Sequence, residues 1–303
     1  MRVFLTGATG YVGSAVAEKL VESGHSVVGL SRSDAGDAKL RAMGVIPHRG
    51  DLNDPQSLAQ AALTSDGIIH TAFGNNFDDF TGMVGTDLLA LTTMLTSLED
   101  KNKPIVVTNG PAFLGDSGDG IFDESAPIDE SSYFAVRAKP DLEALQAANR
   151  GIRSVVIRLP FYVYGKGGST FIPVQIGAAQ KTGLARYIGE GANRASSVYV
   201  EDAATAYVKA LENAQAGSLY HLSDGFDASA KQIAEAIGEN LNVPAISTTF
   251  EIAEETFGTG LANFFSMNSC ISADKIKHEL GWSPQANHNI LEDIARGSYK
   301  IGR

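Results

Sequence analysis

Three glycines spaced three residues apart near the N-terminus constrain the fold of this chain most. Residues 5–14 read LTGATGYVGS, and they follow a short branched and aromatic run, RVFLT, that has the composition of a buried strand. After the loop, Tyr11–Glu22 carries apolar residues at helical spacing. In such a unit Gly7 permits the tight turn, Gly10 lets the backbone approach a phosphate, and Gly13 lets the helix pack against the strand.

The order strand, glycine loop, helix and second strand predicts that this turn binds the pyrophosphate of a dinucleotide. The amino terminus of the following helix adds unpaired N–H groups and a positive partial charge, which both suit an anion. The residues predicted to hold the cofactor here are Gly7, Thr9, Gly10, Tyr11, Val12 and Gly13.

Strand-like and helix-like segments continue to alternate along the first half of the chain. Strand-like runs recur at residues 25–30, 67–72, 105–108 and 154–159. This alternation predicts an α/β fold, a Rossmann-type doubly wound parallel sheet with right-handed crossovers. The pattern loosens beyond Gly165, so we predict a Rossmann domain over 1–165 and a small carboxyl-terminal substrate lobe over 166–303. Residues 198–211 are expected to return and pack on the first domain.

Composition excludes several classes of partner. The net charge of −11 over 303 residues argues against binding to nucleic acid or to an anionic membrane surface. No stretch approaches the roughly 18 apolar residues of a membrane span. Cys270 is the single cysteine, so neither an intrachain disulfide nor a cysteine cluster for zinc can form, and no metal site is predicted. The chain starts directly in a strand pattern without a signal-peptide pattern, so we expect a cytoplasmic protein.

Several segments together resemble a known family. TGATGYVG, with GDL at 50–52, HTA at 70–72 and RLP at 158–160, is similar to the short-chain dehydrogenase/reductase superfamily, in its extended or atypical, epimerase/dehydratase-like branch. The segments YVEDAATAYVKAL (199–211) and ELGWSP (279–284) also resemble that branch, so the resemblance covers nearly the whole chain.

The resemblance implies further cofactor contacts around the sheet edge. It implies that residues flank the adenine after the third strand, line the cofactor after the fourth strand, and approach the nicotinamide after the sixth. The residues in these three places are, in order, Asp51 and Leu52; Thr71, Ala72 and Phe73; Pro160 and Phe161.

The end of the second strand indicates which nicotinamide cofactor is bound. Sites that prefer NAD place an acidic residue there to bind the ribose hydroxyls, whereas this strand runs into Ser31 and Arg32. A guanidinium suits a 2′-phosphate, and Ser31 adds a hydroxyl donor. NADP is therefore the predicted cofactor, with NAD as the alternative.

The catalytic groups that the resemblance implies are present in altered form. The superfamily uses a tyrosine as acid/base, a lysine four residues later and a serine or threonine that polarises the substrate oxygen. Here Tyr133 precedes Arg137 by four residues, so an arginine occupies the lysine position. In TNGP (108–111), Thr108 is the one hydroxyl and Asn109 offers an amide donor. A helix starting near Lys139 would leave Tyr133 and Arg137 on a less regular segment.

Three functions remain open from the sequence. The favoured one is an NADP(H)-dependent oxidoreductase acting on a small aldehyde or ketone, because Phe73, Phe77 and the aromatic 160–165 loop offer apolar walls. The first alternative is a nucleotide-sugar epimerase or dehydratase, with Arg186 and Arg194 as phosphate contacts, although they form no compact cluster. The second is an NADP-binding regulator with reduced catalytic groups. A monomer or homodimer is expected.

Five further side chains receive predictions. Asp78 and Asp79 are expected in an acidic loop facing water, and substrate contact is the alternative. His70 and His221 are expected in the core, and Asp202 is expected to cap a helix.

Overall fold

A computed structural model describes residues 1–74 and 79–300 of the chain. The strands, in chain order, are β1 (Arg2–Thr6), β2 (Ser26–Ser31), β3 (Ile46–Arg49), β4 (Gly67–His70), β5 (Pro104–Asn109), β6 (Arg153–Arg158), β7 (Tyr162–Tyr164), β8 (Ala185–Ile188), β9 (Arg194–Tyr199), β10 (Ser218–His221), β11 (Asp227–Ser229) and β12 (Ala245–Thr248). The α-helices are α1 (Tyr11–Glu22), α2 (Asp34–Ala42), α3 (Pro55–Leu63), α4 (Phe80–Leu98), α5 (Ala138–Gln146), α6 (Phe171–Thr182), α7 (Val200–Asn213), α8 (Ala230–Leu241), α9 (Phe250–Phe257), α10 (Thr259–Ser266), α11 (Asp274–Leu280) and α12 (Ile290–Arg296). The predicted pocket residue Phe77 and the predicted loop residue Asp78 lie outside the described part.

The central sheet is parallel and doubly wound, as predicted. In the described part of the chain it has seven strands in the order β10-β6-β5-β4-β1-β2-β3, and every pairing is parallel. The chain order reverses between β1 and β4, so the carboxyl ends of these two strands border a crevice. Open α/β sheets bind ligands at this switch point.

Helices cover both faces of the sheet, so its strands are buried on both sides. On one face, Val3 and Leu5 pack with Val16 of α1 and Tyr207 of α7. On the other face, Phe4 packs with residues of α3, α4 and α5. Helix α7 follows directly on β9, so a segment from the second half of the chain completes the core of the first.

The leucine stripe of α4 belongs to this core. Leu91, Leu95 and Leu98 are fully buried within the chain, while Leu88 is half-buried. The helical spacing that predicted an apolar stripe is therefore satisfied by the sheet.

Apart from α7, β10 and α11, which pack with the central sheet, the segment after β6 forms a smaller lobe. β7, β9 and β11 form a three-stranded sheet, and β8 pairs with β12. A separate apolar cluster joins α6, α8, α10 and α12 to these strands. In the described part of the chain, no helix is both long and apolar enough to cross a membrane.

The chain before β6 confirms the irregular start predicted for α5. A 3-10 turn spans Ala135–Arg137, and α5 begins only at Ala138. Pro140 therefore lies in the first turn, where a residue without an N–H costs no intrahelical hydrogen bond. Tyr133 and Arg137 both precede the helix.

Candidate functional site

The glycine loop forms a tight cradle at the switch point. Gly7 has φ +74°, and a Cβ there would lie 2.6 Å from Thr71 Oγ1. A Cβ on Gly13 would lie 2.1 Å from the carbonyl oxygen of Gly7. Both distances are far inside van der Waals contact, so only glycine fits either position. The loop is closed by a hydrogen bond from the Gly10 N–H to the Gly7 carbonyl, 2.8 Å long.

The amino terminus of α1 faces outward from this cradle. Gly10 is its N-cap and supplies no side-chain hydrogen bond to the first turn. The first N–H groups of the helix are thus available to an anion, and their dipole favours one. A backbone that only glycine permits, leading to an uncapped helix terminus, fits the pyrophosphate of a dinucleotide.

Three other predicted loop residues hold this cradle in place. The Thr9 carbonyl accepts a hydrogen bond from Lys39 Nζ at 2.8 Å, and Val12 is half-buried against the core. The Tyr11 hydroxyl donates to the Gly165 carbonyl at 2.9 Å, so its ring ties the loop to the start of the lobe. Burial first, and then the neighbouring Tyr299, raises the pKa of Tyr11 far above its usual range.

Lys39 was missed by the sequence analysis. It lies on α2, whose N-cap is Ser33 immediately after Arg32. A helix that starts at this point places Lys39, in its second turn, near the glycine loop. The helix start after Ser33 was the sequence signal that could have identified Lys39.

The end of β2 carries an exposed cation. The Arg32 side chain is 81% exposed, and its Nε lies 3.9 Å from Asp51 Oδ2. A hydrogen bond from the Asn53 N–H, with a smaller contribution from Arg32, holds the pKa of Asp51 below its usual range, although partial burial opposes this. Ser31 is buried and donates to the Ser33 carbonyl at 3.1 Å. Leu52 is half-buried and packs against the core on the α3 side.

The residues after β4 contact the glycine loop directly. Thr71 Oγ1 donates to the Thr6 carbonyl at 2.8 Å, and the Ala72 N–H donates to Thr6 Oγ1 at 3.3 Å. Phe73 lies over a guanidinium, with Arg137 Cζ 3.9 Å from its ring centroid. The segment 71–73 therefore continues the floor of the cradle toward Arg137.

Arg137 is a member of a buried ionic network. Its Nη1 lies 2.5 Å from Asp87 Oδ2, and the exposed fractions of the two side chains are 10% and 2%. The other carboxylate oxygen of Asp87 lies 2.9 Å from His70 Nε2, and His70 Nδ1 lies 2.6 Å from Thr6 Oγ1. Burial opposes ionisation of Asp87, but the charge of Arg137 and the hydrogen bond with His70 outweigh it and lower the pKa of Asp87.

The network connects α4 to the ends of three strands. Arg137 Nη2 also donates to the Thr108 carbonyl at 3.3 Å. Asp87 was not identified from the sequence; the signal was a single carboxylate within the otherwise uncharged helix FTGMVGTDLLALTTMLTSL. A ribose bound by Arg137, as the sequence predicts, would have to share the guanidinium with the Asp87 carboxylate.

The polar side chains at the end of β5 are already paired within the protein. Thr108 Oγ1 lies 2.7 Å from the Tyr207 hydroxyl. Asn109 Nδ2 donates to the Arg137 carbonyl at 3.0 Å and to Asp141 Oδ1 at 2.5 Å. Its Oδ1 accepts from the Gly110 N–H at 2.9 Å. In this structure the two side chains hold the floor of the site together.

A second buried ion pair lies beside the first. Arg158 Nε lies 2.7 Å from Asp141 Oδ2, and Arg158 Nη1 lies 3.2 Å from His221 Nε2. Burial and the nearby Arg158 charge lower the pKa of His221 to about 3, so its imidazole is neutral. His70 and His221 are both buried, as expected.

Tyr133 differs from all of these residues in its exposure. Tyr133 is 47% exposed, and its ring contacts the ring of Phe134 edge-on, with the centroids 5.1 Å apart. Within residues 1–74 and 79–300, its hydroxyl has no hydrogen-bond partner. Pro160 and Phe161 are buried, and the ring of Phe161 is stacked on Phe264 at 3.6 Å.

The prediction for Asp202 was wrong. Tyr199 is the N-cap of α7, and Asp202 lies in the first turn. Its carboxylate accepts hydrogen bonds from the N–H groups of Gln285 and Ala286 at 2.8 and 3.0 Å. The side chain therefore fixes the segment after ELGWSP onto α7, a long-range contact that local spacing could not indicate.

Comparisons with known proteins agree with this fold. Residues 3–223 match the model of the NAD dependent epimerase/dehydratase family. The chain is 38% identical to the uncharacterized protein YLL056C of Saccharomyces cerevisiae, over 99% of this chain and 100% of the relative. It is 28% identical to a 2-alkyl-3-oxoalkanoate reductase of Stenotrophomonas maltophilia, over 74% and 71%.

A solved structure has the same architecture. The dTDP-glucose 4,6-dehydratase DesIV from Streptomyces venezuelae, with NAD and TYD bound, superimposes with a TM-score of 0.80 at 21% identity, covering 98% of this chain and 96% of that one. The glycine cradle, the parallel sheet and the family match together lead to one conclusion. The chain belongs to the NAD dependent epimerase/dehydratase family, within the extended short-chain dehydrogenase/reductase group that its motifs resemble.

Proposed function

We propose that this protein is an NADP(H)-dependent oxidoreductase that reduces a small, apolar aldehyde or ketone, or oxidises the corresponding alcohol. The observation that carries the proposal is the position of the exposed phenol of Tyr133 at the edge of a wall of phenylalanine rings. Phe134 contacts both Tyr133 and Phe264, and Phe264 is stacked on Phe161. Such a wall suits an uncharged substrate with an apolar body.

Two cations support NADP as the cofactor. Arg32 projects into solvent at the end of β2, and Lys39 is bonded to the glycine loop, so both flank the place expected for the adenosine ribose. A 2′-phosphate would gain charge-assisted hydrogen bonds from each. Asp51, 3.9 Å from Arg32, partly offsets this charge, and NAD remains the alternative.

The proposed chemistry gives roles to Tyr133 and Arg137, whereas Thr108 and Asn109 hold the floor of the site. The reduced nicotinamide, when bound, supplies the hydride that adds to the carbonyl carbon. Tyr133 donates its phenolic proton to the carbonyl oxygen, so the product is the neutral alcohol. Because the residue is 47% exposed, the phenolate regains a proton from solvent. Arg137 contacts the Phe73 ring by a cation–π interaction, and the N–H groups that do not bind Asp87 or the Thr108 carbonyl would donate to the ribose.

A nucleotide-sugar epimerase or dehydratase is the first alternative. The fold of the DesIV dehydratase matches 98% of this chain, but at 21% identity the likeness shows only the fold. Arg186 lies in β8 and pairs with β12, whereas Arg194 begins β9 and pairs with β11. The two arginines are thus on different small sheets, which weakens the case for a diphosphate site.

One relative favours the carbonyl reductase instead. The 2-alkyl-3-oxoalkanoate reductase, by its name, acts on a carbonyl compound with an alkyl body.

An NADP-binding regulator is the second alternative. The pairing of Arg137 with a buried carboxylate favours it, because the cation at the lysine position is partly neutralised. The exposed phenol beside the aromatic wall favours the enzyme instead.

A ligand-stabilisation experiment separates these functions. We would measure the melting temperature with NADP, NADPH, NAD and NADH, each with and without UDP-glucose. Stabilisation by the phosphorylated pair, with no further effect of the sugar nucleotide, is the expected result. Stabilisation by NAD that UDP-glucose reinforces would support the epimerase class and reject the proposal.

A further inference from the structure

We propose that Phe264 sets the upper size limit of the carbonyl substrate, and that the subsite it occupies accepts an aryl ketone when the ring is removed. This inference rests on the proposed function, because it concerns the same site. The ring of Phe264 is stacked on Phe161 with centroids 3.6 Å apart and planes at 15°. It lies 4.1 Å from the ring centroid of Phe171 and meets Phe134 edge-on at 6.2 Å.

These rings come from four separate parts of the chain. Phe161 lies between β6 and β7, Phe171 begins α6, Phe134 precedes the 3-10 turn before α5, and Phe264 lies on α10. The rings belong to one apolar cluster that joins the sheet edge to the lobe, and all of them except Phe171 are buried. Open α/β folds bind ligands at the edge that the carboxyl ends of the strands form, and the segments of Phe134 and Phe161 follow β5 and β6 at that edge.

The neighbours of Phe264 are the residues that flank the reaction. Phe134 directly follows Tyr133 and touches its ring. Phe161 directly follows Pro160, in the loop predicted to approach the nicotinamide. Phe264 therefore contacts both the ring next to the proposed proton donor and the ring in the predicted cofactor loop. A ring in that position limits how far the body of a substrate can extend beyond its carbonyl group.

The support of α10 is rigid enough for the space to stay open after truncation. Asn193 Nδ2 donates to the carbonyls of Phe265 and Met267, at 3.0 and 3.3 Å, and so fixes the end of the helix. Thr259 begins α10, and its hydroxyl donates to Glu254 Oε1 of α9 at 2.7 Å, which holds the start of the helix. Because the backbone is held at both ends, removal of the ring leaves an apolar cavity instead of a collapse.

The ligand class follows from what surrounds this ring. The rings that Phe264 contacts are all phenylalanines, namely Phe134, Phe161, Phe171 and Phe265. Leu261 and Ile172 belong to the same apolar cluster. A planar, uncharged aryl group restores the stacking that Phe264 provides. A sugar or a charged group would lose its hydration without gaining a hydrogen bond.

The test compares two ketones of different bulk in three proteins. We would measure kcat/KM with NADPH for 2-butanone and 2-acetylnaphthalene in the wild type, Phe264→Ala and Phe257→Ala. Phe257 is the matched control, since it is a phenylalanine of the same apolar cluster, at the end of α9, and its ring contacts Phe265 at 5.3 Å. We expect Phe264→Ala to raise the ratio of kcat/KM for 2-acetylnaphthalene to kcat/KM for 2-butanone by about tenfold or more. We expect Phe257→Ala to leave this ratio within about twofold.

A binding measurement keeps this inference separate from the proposed function. Calorimetric titration of 2-acetylnaphthalene into the enzyme loaded with oxidised NADP needs no turnover. Tighter binding by about tenfold in Phe264→Ala, with no ketone reduced by any of the proteins, would support the subsite and reject the reductase function. Equal binding and equal ratios in all three proteins would overturn the inference. Should Phe264→Ala fail to fold, Phe264→Leu decides the matter by the same two readouts, with a smaller shift in the same direction.

Discussion

Removal of Asp87 tests how the arginine at the lysine position is held. Asp87 is 2% exposed and pairs at 2.5 Å with Arg137, whose side chain is 10% exposed. Asp87→Ala leaves a buried guanidinium and a buried imidazole without their shared carboxylate. Removing one partner of a buried ion pair costs about 3–5 kcal/mol in the free energy of unfolding. At roughly 2 °C per kcal/mol for a chain of this size, the melting temperature should fall by about 6–10 °C.

An exposed ion pair of similar length provides the control. Arg296 Nε lies 2.7 Å from Glu239 Oε1, but the two side chains are 78% and 51% exposed. Glu239→Ala should cost less than about 1 kcal/mol, because solvent screens such a pair. The distances of the two pairs are nearly the same, so the comparison measures the effect of burial together with the hydrogen bond of Asp87 to His70. Urea denaturation at pH 7 measures both variants, and equal effects of the two substitutions would refute the reasoning.

The same pair predicts a dependence on pH. The folded-state pKa of Asp87 is lowered, so its contribution to stability is present above the usual carboxyl range and is lost as the pH falls through the lowered value. Asp87→Ala should therefore lose stability at pH 7 and show less further loss on acidification than the wild type. A parallel shift of the whole acid-denaturation curve would contradict this assignment.

Three further predictions concern the cradle, the ribose site and the lobe. Gly13→Ala should abolish dinucleotide binding, because the added Cβ would lie 2.1 Å from the Gly7 carbonyl oxygen. Gly177→Ala should leave binding unchanged, because a Cβ added there meets no atom within 4 Å. Titration calorimetry measures both variants, and retained affinity in Gly13→Ala would contradict the cradle. Arg32→Ala and Lys39→Ala should each weaken NADP binding by about tenfold and NAD binding little, so that a matched loss of both cofactors would count against a 2′-phosphate site. Asp202→Asn should lower the melting temperature by about 2–4 °C, because the hydrogen bonds to the Gln285 and Ala286 N–H groups lose their ionic acceptor; an unchanged melting temperature would show that this contact does not hold the lobe.

The glycine cradle was predictable because its requirement is local. The positions Gly7 and Gly13 are fixed by backbone conformation and by contacts within one strand–loop–helix unit, and spacing alone reports them. The late start of α5 was also predictable, since Pro140 excludes a regular helix before it.

The rest of the site depends on contacts between distant parts of the chain. The partner of Arg137 is fifty residues away on α4, and the carboxylate of Asp202 meets backbone more than eighty residues later. Phe264 reaches Phe161 only after the lobe folds back on the sheet edge. Hydrophobic periodicity indicates that such residues are buried, but it carries no information about which buried groups meet.

The measurement that tests the central claim most directly is NADPH oxidation with a panel of aldehydes and ketones, in the wild type and in Tyr133→Phe. The account predicts carbonyl-dependent NADPH oxidation whose kcat falls by about 10²–10⁴-fold in Tyr133→Phe, with NADPH binding unchanged, because the ring remains and only the proton donor is lost. Equal kcat in the two proteins, or tight NADPH binding with no carbonyl compound reduced, would contradict it.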